Sequence, residues 1–130
     1  MSDIRFYEPR GYVDKEIKKV SYNDLKKVID NQKNIEKKIN KNNVFLEFVN
    51  DIKVMLLLIN DYFAGKYKKT PWWVISAVVF ALLYVFNPMD MMPDFVPFIG
   101  LIDDLTVLGL CITMIRNDLA KYRAWKDGLN

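Results

Sequence analysis

Four carboxylates, Asp90, Asp94, Asp103 and Asp104, stand among Pro88, Pro93, Pro97 and Gly100 in a stretch with no other charge. Oxygen donors that converge can hold a hard divalent cation such as Mg²⁺ or Ca²⁺. They can also meet lysines across an apolar boundary, since a charge taken out of water needs a partner. Plainer roles exist for each: Asp90 and Asp94 suit turn positions, and Asp103 or Asp104 suits the N-cap of a helix starting near Leu105. A proton or ion pathway would require the stretch to lie at membrane depth, where ionisable groups are costly and functional. The spacing of acids and prolines is not that of a calcium loop, so no metal and no cofactor is assigned.

Other chemistry is excluded by residue type. With no histidine among the 130 residues, His-based general base catalysis, Ser-His-Asp and Cys-His systems and His-ligated zinc are absent. The single Cys111 lies between Leu110 and Ile112, which predicts a buried residue with neither a disulfide nor a metal to serve. Five glycines without a phosphate-binding spacing leave nucleotide hydrolysis unsupported. The chain is expected not to be an enzyme.

A second set of residues suits recognition. Lys26, Lys27, Lys33, Lys37, Lys38 and Lys41 fall on one side of a helical wheel. Of these, Lys26, Lys33, Lys37 and Lys41 are candidates to touch anionic lipid headgroups or a partner. Phe6, Tyr7 and Arg10 belong to a segment rich in aromatics, Pro9 and Gly11, read as an irregular arm over residues 1–13 whose rings need a surface. Docking on its own domain or on a partner are the two uses of that arm. Nucleic acid is less favoured than protein, because Asp24, Asp30 and Glu36 partly balance the lysines and the net charge is only +3.

The elements that would position these groups are helical. Ser21 and Asp24 resemble a capping box, and Leu25, Val28, Ile29, Gln32, Ile35 and Ile39 follow on one face of a first amphipathic helix. Asn40, Asn42 and Asn43 interrupt it. A second amphipathic helix is expected from about Val44 to Phe63, with Glu47, Asn50, Asp51, Asn60 and Asp61 largely opposite its apolar face. Gly65 suits a helix end, and Thr70-Pro71 suits the start of the next helix.

Residues 71–115 carry no basic side chain and only the four aspartates, against 15 Lys/Arg in residues 1–70 and 4 in residues 116–130. Residues 72–86 are an uncharged run that is apolar on all sides, yet as a helix it reaches only about 22 Å, short of a hydrocarbon core of roughly 30 Å. Leu105 to Ile115 is shorter still. The two therefore read as a helical hairpin, buried either in protein or as a re-entrant membrane insertion. Lys66, Lys68 and Lys69 before it, with Arg116, Lys121, Arg123 and Lys126 after it, fit a hairpin whose ends stay cytoplasmic. Trp72, Trp73 and Trp125 are candidate interfacial anchors, or rim aromatics of a core.

The fold expected is an all-α small bundle: two N-terminal amphipathic helices and a C-terminal apolar hairpin joined by a Pro/Asp-rich connection. Within one compact unit, an arm spans residues 1–20, an amphipathic region 21–64 and the hairpin domain 65–130. The N-terminus lacks the apolar run of a signal peptide, so the expected place is the cytoplasmic face of the inner membrane, with the cytoplasm as alternative.

One part of the chain resembles a known family. Thr70-Pro71-Trp72, Ala81-Leu82-Leu83-Tyr84 and then Asn87, Pro88, Asp90, Pro93, Asp94, Pro97, Gly100, Asp103 and Asp104 resemble, in order and spacing, the signature of the YkvA-like proteins, small bacterial proteins built around a domain of unknown function. The match covers about residues 65–115. It departs from the family at Met89, Met91 and Met92, where aliphatic residues are usual. The resemblance implies a helical hairpin and membrane association, and implies no reaction.

Two main functional expectations result, with a divalent-cation site on Asp90, Asp94, Asp103 and Asp104 as a minor third. The first is a non-enzymatic accessory or partner-binding module on a membrane, with a hairpin that inserts or lies in the cytoplasmic leaflet. The second is a regulator or inhibitor free in the cytoplasm that binds a macromolecule through the aromatic arm and the lysine-rich helix.

Overall fold

The computed structural model of the chain describes residues 9–41, 43–86 and 104–128, with the backbone alone for 9, 10, 12, 44 and 104–106. Among the described residues the architecture is all-α: α1 (Pro9–Ile17), α2 (Tyr22–Asp30), α3 (Gln32–Lys41), a 3-10 helix (Asn43–Phe48), α4 (Val49–Phe63), α5 (Trp72–Phe86) and α6 (Asp104–Asp127). This is the small helical bundle the sequence predicts, with α5 at its centre in contact with every other helix.

Local chemistry explains most boundaries. At the start of α2, Asp24 N–H donates to Ser21 Oγ at 3.3 Å and Ser21 N–H donates back to Asp24 Oδ2 at 2.8 Å, so Asp completes the capping box in place of the usual Glu. At the end of α4, Gly65 takes φ +82°, Lys66 N–H donates to Asp61 C=O at 2.8 Å, and Gly65 N–H donates to Tyr62 C=O at 3.1 Å. That pair of bonds is the Schellman arrangement, which satisfies two carbonyls left over at the helix end. A side chain at position 65 would be strained by the left-handed backbone.

Three expectations are corrected. The expected single helix from Ser21 to Ile39 is two helices, broken at Asn31, whose side-chain amide donates to Lys27 C=O at 2.7 Å in competition with the backbone. The segment from Asn43 to Phe48, expected to open the second amphipathic helix, is 3-10; Phe45 and Phe48, three apart, both pack against the core and Leu46 is left exposed. Residues 9–13, expected as irregular arm, begin α1, where Val13 and Ile17 are buried and the helix packs on α5 and α6.

The apolar hairpin is made of α5 and α6, antiparallel: the residues just before α5 meet the C-terminal end of α6, as Tyr67 meets Trp125 with ring centroids 4.7 Å apart. No residue from Val74 to Val85 is more than 5% exposed. A helix that is apolar on all sides must be covered on all sides. Here the cover is protein: α1, α2, α3, α4 and α6 each contribute. Leu25 and Val28 of α2, Ile35 and Ile39 of α3, and Ile52, Met55, Leu56 and Ile59 of α4 join that core with Cys111. No helix among the described residues is long and apolar enough to cross a membrane.

Candidate functional site

The Pro/Asp connection is bracketed by described helix ends. α5 stops at Phe86, whose carbonyl accepts a hydrogen bond from Lys38 Nζ of α3 at 3.3 Å. A lysine at a helix C-terminus satisfies a leftover carbonyl and complements the helix dipole. It also moves Lys38 from the solvent face, where its spacing put it, to a half-buried position. Tyr84 of the signature is buried in the core. Asn87, Pro88, Asp90, Pro93, Asp94, Pro97, Gly100 and Asp103 lie outside the described residues. α6 begins at Asp104, whose side chain is outside the description. Among the described residues no group of His, Cys, Asp or Glu can hold a metal ion.

Of the candidate recognition residues, Lys26 on α2 and Lys33, Lys37 and Lys41 on α3 are exposed. Lys33, Lys37 and Lys41 recur every four residues and so form one stripe of α3. Arg10 lies on α1 with its side chain outside the description, and Phe6 and Tyr7 lie outside the described residues.

Sequence reading missed a polar centre. Asp61, expected on the solvent side of α4, is only 6% exposed. Its Oδ2 accepts from Tyr122 Oη at 2.5 Å and from Lys126 Nζ at 2.8 Å, both on α6. Burial on its own pushes the carboxyl up. The hydrogen bonds from Lys126 and Tyr122, with the charges of Lys126 and Lys66, outweigh that and hold it below its ordinary value of 3.8. Tyr122 responds oppositely: burial, then the hydrogen bond and charge of Asp61, push its phenol far up. Tyr122 also packs edge-on against Tyr67 at 5.1 Å and beside Trp125 at 5.9 Å. The spacing of Tyr122 and Lys126, four apart on one helix, was legible; their partner 61 residues away was not. These three groups tie α4 to α6.

A further amide pair fixes α3 on α4. Gln32 Nε2 donates to Asn60 Oδ1 at 3.0 Å and Asn60 Nδ2 donates to Gln32 Oε1 at 2.7 Å. No buried side-chain polar atom among the described residues lacks a hydrogen-bond partner. Cys111 is fully buried, and desolvation together with the charge of Asp14 pushes its thiol up to about 12, which keeps it protonated and unreactive.

The surface around the α4–α5 turn combines rings and lysines. Tyr22 stacks on Phe63 at 5.8 Å, Trp72 lies 6.5 Å from Tyr62, and Lys68 Nζ sits 5.8 Å from the centre of the Tyr62 ring. A groove of about 440 Å³ follows on the same turn, lined by Tyr67, Lys69, Thr70 and Pro71 and, from α6, Asp118, Lys121 and Trp125.

Comparison with known proteins places this architecture. The family described as "Protein of unknown function (DUF1232)" matches residues 74–110, which run from the buried part of α5 through the connection into α6. The chain is 31% identical over 78 residues to the "Uncharacterized membrane protein YkvA" of Bacillus subtilis (strain 168), a match covering 60% of this chain and 74% of that protein. No solved structure matches the chain.

Proposed function

The chain belongs to the YkvA-like family, and from that premise we propose that it is a non-enzymatic accessory module held against the cytoplasmic face of a membrane by its surface. The observation that carries the reading is the burial of α5. The most apolar helix of the chain already spends its whole circumference on protein contacts from Val74 to Val85. Nothing from Val74 to Val85 remains for lipid tails, so attachment falls to side chains exposed elsewhere. The Bacillus relative's description as a membrane protein supports the membrane as the place.

Surface attachment makes a distinct prediction for fractionation. The untagged chain at native level is expected to sediment with membranes and to leave them in high salt or alkaline carbonate without detergent. Release by detergent alone would mean insertion, and recovery in the supernatant at physiological salt would remove the membrane altogether. Complete burial of α5 also fits the runner-up, a macromolecule-binding regulator using Lys26, Lys33, Lys37 and Lys41, and recovery in that supernatant is the result it requires.

A further inference from the structure

Large apolar side chains are costly to leave in water, and those left exposed among the described residues are few: Tyr22, Leu46, Leu57, Phe63, Trp72 and Trp73. Four of these six are aromatic, and they come from sequence-distant places to one corner. Tyr22 opens α2, Phe63 closes α4, and Trp72 and Trp73 open α5. The Tyr22–Phe63 stack and the Tyr62–Trp72 contact join them. Tyr22 is 56% exposed, Trp72 40% and Trp73 48%.

The turn between α4 and α5 adds Lys66, Lys68 and Lys69, all exposed, and residues 64–73 contain no acid. Lys26 extends the basic rim along α2, four residues after Tyr22 on the same face. Lys121 extends it across the groove beside Pro71, where Asp118 also lines the wall. Amphipathic rings at headgroup depth with lysines reaching phosphates are the composition of a membrane interface. A protein-binding centre would also use Trp and Tyr, but lysine is depleted there.

We propose that this corner, with Trp72, Trp73, Tyr22 and Phe63 as the ring anchors and Lys66, Lys68 and Lys69 as the phosphate contacts, docks the protein on an anionic lipid bilayer. The inference rests on the membrane reading above and names its contact surface. In this pose the N-terminal end of α5 faces the membrane and the α3 lysine stripe does not supply the main contact.

The test is co-sedimentation of the full chain with vesicles of phosphatidylglycerol and phosphatidylethanolamine, against vesicles of phosphatidylcholine alone. Wild type is expected to bind the first and not the second. Neutralising Lys66→Gln, Lys68→Gln and Lys69→Gln together is expected to weaken binding about a hundredfold, from roughly a fivefold step per lysine near a charged surface. Trp72→Ser with Trp73→Ser is expected to abolish binding as well. The control Lys33→Gln, Lys37→Gln and Lys41→Gln removes the same charge from α3 and is expected to leave most of the binding. Circular dichroism checks that each variant keeps its helices, and the lysine variants, altered only at exposed positions, keep the test valid if the tryptophan pair unfolds.

Binding of the corner variants at the wild-type level would overturn the inference while leaving membrane attachment standing. Sedimentation of wild type with native membranes but not with vesicles would overturn it in favour of a protein partner in the membrane. Failure with both would remove the membrane reading too.

Discussion

Asp61 shows how one buried acid contributes to the pH dependence of stability. Its carboxyl is held below 3.8, so the folded state gains from the ionised form; that contribution is complete above the ordinary value and is lost as pH falls through the lowered one. On the alkaline side the signs reverse. Cys111, raised from 9.0 to about 12, and Tyr122, raised from 10.0, both favour the protonated form in the fold, so their contributions are complete below pH 9 and are lost as pH rises beyond it. Denaturant unfolding across pH is therefore expected to give a plateau that declines below about pH 4 and above about pH 9. Asp61→Ala is expected to lower the plateau by about 2–3 kcal/mol, because the Tyr122 hydroxyl and Lys126 lose a charged acceptor. It should also flatten the acid decline. An unchanged acid limb in that variant would show that other carboxylates set it.

At the scale of elements, the starts of α2 and α5 were legible; the starts of α1, α3 and α4, and the partners of every helix, were not. Ser21, Asp24, Pro71 and Gly65 act through atoms within five residues, and their roles follow from residue type and spacing alone. The break at Asn31 was less visible, because the apolar period of Leu25, Val28, Ile35 and Ile39 runs through it without interruption and only the side chain's bond to Lys27 C=O reveals it. The apolar period likewise passes over the change from 3-10 to α at Phe48 and Val49. Ser21→Ala is expected to cost about 1 kcal/mol, since Asp24 N–H loses its Ser21 Oγ acceptor while the backbone N–H of residue 21 can still donate to Asp24 Oδ2. Thermal unfolding reads it directly, and a change within error would mean that packing of Leu25 and Val28 alone holds α2.

For the whole molecule the decisive contrast lies within α5. Phe80 is fully buried and Trp73 is 48% exposed, though both are large aromatics on the same helix. Phe80→Ala is expected to destabilise by about 3–5 kcal/mol, through lost transfer energy and the cavity left behind. Trp73→Ala is expected to stay within about 0.5 kcal/mol. Equal effects in detergent-free denaturant titration would mean that α5 is not wrapped by protein. The candidate site divides in the same way. The Pro/Asp signature from Tyr84 to Asp104 was readable because its information is local spacing, and it leads to the family. The aromatic and basic corner was not readable, because Tyr22, Phe63 and Trp72 are scattered over about 50 positions and only packing gathers them.

The sequence by itself determined that residues 72–86 form a helix requiring cover on every side, where that helix begins, and which family its connection belongs to. Periodicity, caps and proline placement are properties of neighbouring residues, so no fold is needed to read them. Only the tertiary structure decided that the cover is the chain's own helices, that Asp61 is paired across to α6, and that the exposed rings share one corner with the lysines. Those outcomes depend on contacts between residues far apart in the chain, and burial at one position is set by what the rest of the chain brings to it.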